Sequence, residues 1–280
     1  MKTQTDEHWD ERARGVDDAA SVNIDDVYQR DLELDFVCSQ LTGIERLLEV
    51  GCGNGFNTTK YRDRVGSIDA FDLSGDMISR ANTDHPDAKI RYYEASVLDP
   101  SAAATGGYDA VVCVRTLINL ADLAAQRAAI ENLFSWLRPG GLLVLVEGFS
   151  DGFQALGVLR QSLSLPTVEP ASINTYCAVA EIQDLLHHGG EVVATFHTGT
   201  WDILTRVVLP LIVGPERVQG VGPFHPALLE IARVLGNDRT EEFARLRGWA
   251  IRRFDRLPRL TGITGSTPLT SPSTRCPSYR

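Results

Sequence analysis

Residues 47–56 read LLEVGCGNGF, and an acid, Asp72, stands twenty-one positions beyond the first glycine. A short apolar run, then G-x-G-x-G, then a carboxylate at the end of the next apolar run is the pattern of an adenosine-binding α/β domain. Glycine has no Cβ, so Gly51, Gly53 and Gly55 can take backbone angles closed to other residues and let a ligand touch the main chain. Asp72 is then placed to accept hydrogen bonds from both ribose hydroxyls. A dinucleotide fingerprint, G-x-G-x-x-G, needs its third glycine at 56, where this chain has Phe.

Working outward, apolar runs and helical periods alternate. A helix is predicted from Asp26 to Leu41, with Tyr28, Leu32, Leu34, Phe36, Val37 and Leu41 as its apolar face and Gly43 as its stop. RLLEV, SIDAFDL, KIRYYEA, YDAVVCV and LLVLVE read as five strands. The helices between them run over 56–63, after Ser74 as a cap, and over 121–137 with Ala129, Ile130, Leu133, Phe134 and Leu137 on one stripe. The β-branched fourth run suits a strand covered on both faces. Such repeats imply a parallel sheet with helices on both sides.

Beyond the fifth strand, helices are expected over 151–163, 178–188 and 226–235. EVVATFHTGTWDILTRVV reads as one long or broken sixth strand, and GWAIRRF as the last. The segment 199–245, broken by Pro210, Pro215 and Pro223, reads as a helical insertion placed to serve as a lid or a dimer surface. Residues 1–25 are polar and read as a flexible cap, and 258–280, rich in Ser, Thr and Pro, as a disordered tail.

Composition narrows the classes. At 280 residues and 43% hydrophobic, the chain can bury a full core as one domain. A net charge of −10 disfavours a nucleic-acid partner, which asks for a basic footprint. No apolar run approaches the roughly 20 residues of a membrane span. Five scattered cysteines without a C-x-x-C pair suit reduced cytoplasmic thiols and no zinc site.

Four segments in order resemble the class I S-adenosylmethionine (SAM) methyltransferases: LLEVGCGNGF, IDAFDLSGDMI, YEASVLD, and YDAVVCVRTLINL followed by LRPGGLLVLVEG. The resemblance covers roughly residues 30–200. It implies a Rossmann-like sheet of seven mostly parallel strands, and S-adenosyl-L-methionine as cofactor. It further implies that Glu49 steadies the loop and the methionine end of SAM, that the glycine amides and Cys52 approach the cofactor, and that Asp72 and Leu73 meet the ribose. Ser96, where the family commonly has Asp, and the Val97 amide would face the adenine. Arg30 resembles a position that reaches the methionine carboxylate. The D/N-P-P-Y/F/W tetrapeptide of adenine amino-group methyltransferases is absent, and Val112 rather than Pro precedes Cys113.

The acceptor chemistry has several candidates. Arg115, whose planar fork suits an anionic substrate or the cofactor carboxylate, and Glu147 follow strands whose carboxyl ends form the ligand edge of open α/β sheets. Arg115 could equally pair with a structural acid such as Glu147. His197 and His225 are the candidate bases. The expected activity is methylation of a small molecule, a sugar or secondary metabolite, by O-methylation. The competing readings are a non-catalytic SAM-binding protein and an NAD-dependent oxidoreductase.

Overall fold

The computed structural model describes residues 4–103, 106–218, 220–236 and 239–255. In chain order the main elements are α1 (Gln4–Gly15), α2 (Val27–Gln40), β1 (Ile44–Val50), α3 (Thr58–Tyr61), β2 (Val65–Asp72), α4 (Gly75–Asp84), β3 (Ile90–Glu94), β4 (Tyr108–Val114), α5 (Leu123–Trp136) and β5 (Leu137–Gly148). They continue with α6 (Ser150–Ser162), α7 (Val179–Gly189), β6 (Gly190–His197), α8 (Gly199–Ile203), α9 (Leu209–Val213), α10 (His225–Leu235) and β7 (Leu246–Arg253). The proposed tail lies outside the described residues.

The strands form one seven-stranded sheet in the order β3-β2-β1-β4-β5-β7-β6. Pairings are parallel except at β7, which runs antiparallel to both neighbours. The order reverses between β1 and β4, the switch point at whose carboxyl edge a crevice opens. Two apolar cores flank the sheet. One packs α5 and α7 against β4 and β5 through Leu133, Phe134 and Leu186; the other seats Val37, Leu41 and Tyr61 against the opposite face. Central strand β4 is buried on both sides, as its β-branched run requires.

Caps set where the helices begin. Asp26, Ser74 and Asp122 accept from the amides of Gln29, Met77 and Ala125 at the starts of α2, α4 and α5.

Two expectations are corrected. The sixth strand stops at His197, and the following residues are helical: α8, a π-helical stretch (Leu204–Val208) and α9. Trp201 decides this. Its buried ring packs with Leu229 and Ala232 of α10 and against Tyr28 and Leu32 of α2, a helical contact that overrides the β-branched composition. The second correction is at the N-terminus, where residues 4–15 form α1. Trp9, Ala13 and Val16, spaced as one helical stripe, pack against Val22 and Met77.

Candidate functional site

A cleft of about 300 Å³ opens at the carboxyl ends of β1, β2 and β4. Its floor carries Glu49, Gly51, Cys52, Gly53, Asp72 and Leu73, with Ser96 and Val97 at one side and Arg115 at the other. Its roof is α1, through Thr5, His8, Trp9 and Arg12, together with the 171–174 loop.

The glycine loop is tied to its neighbouring strand. Gly51 and Cys52 amides both donate to the Phe71 carbonyl, at 2.9 and 3.0 Å, and the Gly53 amide donates to Asp72 Oδ2 at 2.8 Å. The amides expected to approach a ligand are therefore spent within the protein, and Gly51 offers bare backbone to the cleft. Gly51 has φ +72°, and a Cβ there would meet Thr116 Oγ1 at 2.1 Å. Asp72 is oriented from both sides, since its Oδ1 accepts from the Ser74 amide at 2.9 Å. Burial raises its pKa against those amide bonds.

Two buried glutamates sit at equivalent strand ends and differ. Glu147, at the end of β5, accepts from the Thr116 and Leu117 amides at 2.8 and 2.7 Å, and from Ile118 at 3.4 Å. Burial still pushes its carboxyl up to about 7. It does not line the cleft, so the catalytic assignment from sequence is corrected: Glu147 pins the turn after β4. Glu49, at the end of β1, lines the cleft, and its buried Oε2 has no hydrogen-bond partner. Burial pushes it up to about 8; the nearby Thr58 hydroxyl opposes the rise and Asp72 adds to it.

Arg115 occupies the left-handed region at φ +51° and pairs with buried Glu33 at 3.1 Å, not with Glu147; it also donates to the Asn23 carbonyl. Arg30 lies off the cleft. Its guanidinium sits 4.3 Å from the centre of the Phe56 ring and donates to the Ala20 carbonyl, which corrects the carboxylate role expected of it. Gly55, at φ +78°, also turns away: a Cβ there would meet the Tyr92 hydroxyl at 2.8 Å. His197 accepts from the Gly199 amide at 3.2 Å at the far edge of the sheet. His225, stacked on Tyr28 at 6.0 Å between ring centres, is buried in the insertion. Neither histidine reaches the cleft, and no described residue of 199–245 lines it.

The sequence reading overlooked the roof. Trp9 Nε1 donates to Asn119 Oδ1 at 3.1 Å, and the Thr5 hydroxyl donates to the Ile173 carbonyl, so α1 is fastened to both banks. Arg12 is held by the Val22 and Ser21 carbonyls and by Asp25. The stripe Trp9, Ala13, Val16 was the available signal, masked by nine charged residues among the first eighteen. Among the described residues, no group of three His, Cys, Asp or Glu is placed to hold a metal ion.

Comparison with known proteins agrees with this fold. Residues 47–141 match the family model described as "Methyltransferase domain". An uncharacterized methyltransferase of Mycobacterium tuberculosis is 31% identical over 104 residues, which cover 37% of this chain and 51% of that protein. A ubiquinone biosynthesis O-methyltransferase of Xanthomonas oryzae is 32% identical over 117 residues, covering 41% and 48%. The chain thus spans about half the length of these relatives. In fold it resembles the N-methyltransferase NodS of Bradyrhizobium japonicum, solved with S-adenosyl-L-homocysteine (SAH), with a TM-score of 0.55 and 16% identity over 88% of this chain and 98% of that one.

Proposed function

We propose that this chain, whose residues 47–141 match a methyltransferase-domain family and whose sheet has the Rossmann-like order, transfers a methyl group from S-adenosyl-L-methionine to a small molecule, a sugar or secondary metabolite, by O-methylation. The observation that carries the reading is Glu49: a buried carboxylate oxygen without a partner, in a cleft floored by a glycine loop and a half-buried acid, Asp72. An isolated buried charge is costly unless a partner arrives, and the amino group of a methionyl moiety is such a partner.

The remaining residues fit the rest of the cofactor. Asp72 is pre-oriented to receive ribose hydroxyls, Leu73 borders the sugar, and Ser96 with the Val97 backbone stands where an adenine edge would lie. Cys52 and the bare Gly51 backbone allow close approach, while Arg115, tied to Glu33, holds the Asn23 segment over the loop. Bound there, SAM supplies an electrophilic methyl on a sulfonium. The protein's part is to align acceptor and methyl and keep water out.

Phe56, with Arg30 and Lys60 at 4.3 and 4.6 Å from its ring centre, stands where a dinucleotide site needs glycine, which speaks against the oxidoreductase reading. The net charge of −10 speaks against a nucleic-acid acceptor. No described helix is long and apolar enough to cross a membrane. Four described cysteines, all free, suit a reducing cytoplasm, and the apolar outer face of 199–245 would serve a homodimer.

Calorimetric titration with SAH tests the cofactor assignment. The folded protein binds it, and Asp72→Ala weakens binding by about 1–3 kcal/mol. Unchanged affinity in that variant overturns the ribose assignment, and no binding at millimolar SAH overturns the function. Transfer of labelled methyl to an acceptor separates an enzyme from a non-catalytic binder.

A further inference from the structure

Beyond the residues assigned to the cofactor, the cleft continues along a wall of His8 and Trp9 from α1, Ile118 and Asn119 after β4, and Ile173 and Asn174. None of these six side chains carries a permanent charge. Trp9 is locked by its bond to Asn119 Oδ1, and Asn119 Nδ2 donates in turn to the Arg115 carbonyl, so the indole stands as a fixed flat surface. Asn174 donates from Nδ2 to the Tyr176 hydroxyl, yet its buried Oδ1 has no partner. A buried amide oxygen in this state calls for a donor from a ligand. Of the six histidines in the chain, His8 alone lines the cleft. The cleft's carboxylates are otherwise engaged: Asp25 pairs with Arg12, Asp72 receives two amides, and Glu49 lies on the glycine-loop side.

From this arrangement we infer that the wall is the acceptor subsite, that its occupant is an uncharged, ring-bearing alcohol or phenol, and that His8 is the proton acceptor of the reaction. The inference rests on the proposed methyl transfer and names its substrate class. The ring lies against Trp9, and a neighbouring hydroxyl donates to Asn174 Oδ1. His8 takes the proton of the hydroxyl being methylated while its oxygen bonds the methyl carbon. The carbon–sulfur bond breaks with its electron pair going to sulfur, leaving SAH, and the half-buried imidazolium passes its proton to solvent. An alcohol needs such a base, and imidazole is the side chain suited to it near neutral pH.

The test uses labelled SAM with 2-naphthol and catechol against the anions 2-naphthoate and salicylate. The neutral phenols are methylated and the carboxylates are not. His8→Gln lowers kcat about 100-fold. Its phenol KM and SAH affinity stay within about twofold. Asn174→Ala instead raises KM roughly tenfold with little change in kcat. Unchanged kcat in His8→Gln, preference for the carboxylates, or no phenol methylated by protein that binds SAH overturns the proposal. Failure of the unaltered protein to bind SAH overturns the methyltransferase reading beneath it.

Discussion

Buried and half-buried carboxylates occur in two regions of this molecule, under the 199–245 insertion and at the edge of the glycine loop, and their surroundings are opposite. Asp202 accepts from Arg245 Nε at 2.6 Å on one oxygen and from the Thr198 hydroxyl and the Arg245 amide on the other. Asp26 accepts from the Gln29 amide on one oxygen and from Trp201 Nε1 and Arg206 on the other. From Arg245 the chain of contacts runs on through Gln29 and Glu33 to Arg115. Every oxygen of those two acids is answered by the protein itself. Glu49 is left with one that is not. The contrast distinguishes carboxylates that hold the fold together from one whose oxygen the fold leaves unanswered.

Four measurements break or sharpen that contrast. Asp202→Ala strands the Arg245 guanidinium in the interior and should cost about 3–5 kcal/mol of folding stability in denaturant melts. SAH affinity of the folded fraction stays the same; a loss of stability under about 1 kcal/mol would show that the insertion's network is dispensable. Glu49→Gln should do the reverse, weakening SAH by about 1.5–3 kcal/mol while the free protein folds as well as before or better.

Acidity provides the third. Glu49 has a folded-state pKa of about 8 against an ordinary 4.5, so its favourable contribution is complete below about pH 4.5 and is lost as pH rises through 8. The free protein is therefore destabilised over that interval relative to Glu49→Gln, and the difference between the two widens from pH 5 to 8. Binding a cationic amino group needs the ionised form. SAH affinity should thus tighten by up to about tenfold per pH unit between pH 6.5 and 8, with proton release seen as a buffer-dependent calorimetric heat. A flat profile removes Glu49 from the binding step. The smallest effect belongs to His197→Ala, at the far edge of the sheet, which should change SAH affinity by less than about 0.5 kcal/mol.

The sequence was most legible where a period repeats and a spacing has one mechanical meaning. The first five strands and the cap at Ser74 follow from such signals, and the seven-stranded sheet from the resemblance. Glu49, Gly51, Gly53, Asp72, Ser96 and Val97 line one cleft because they lie on adjacent strand ends. Residues that pattern alone could not place depend on contacts distant in sequence. Glu147 is claimed by three amides of the turn after β4, Arg30 by the Phe56 ring, and His225 by Tyr28 and Trp201. Local composition carries no record of those partners. The stretch 199–208 misled because its β-branched residues favour a strand while Trp201 gains more by lying against α10. At the N-terminus, charge hid a three-residue stripe that only Val22 and Met77 make meaningful.

The fastening of α1 to Asn119 on one bank and to Ile173 on the other has a kinetic corollary. Asp10 to Ser74 and Arg14 to Asp76 tie the same helix to the start of α4, so the two bonds across the cleft can break while α1 stays anchored along that side. Were nucleoside exchange to require lifting the roof, loss of either bond would speed release before it touched the chemistry.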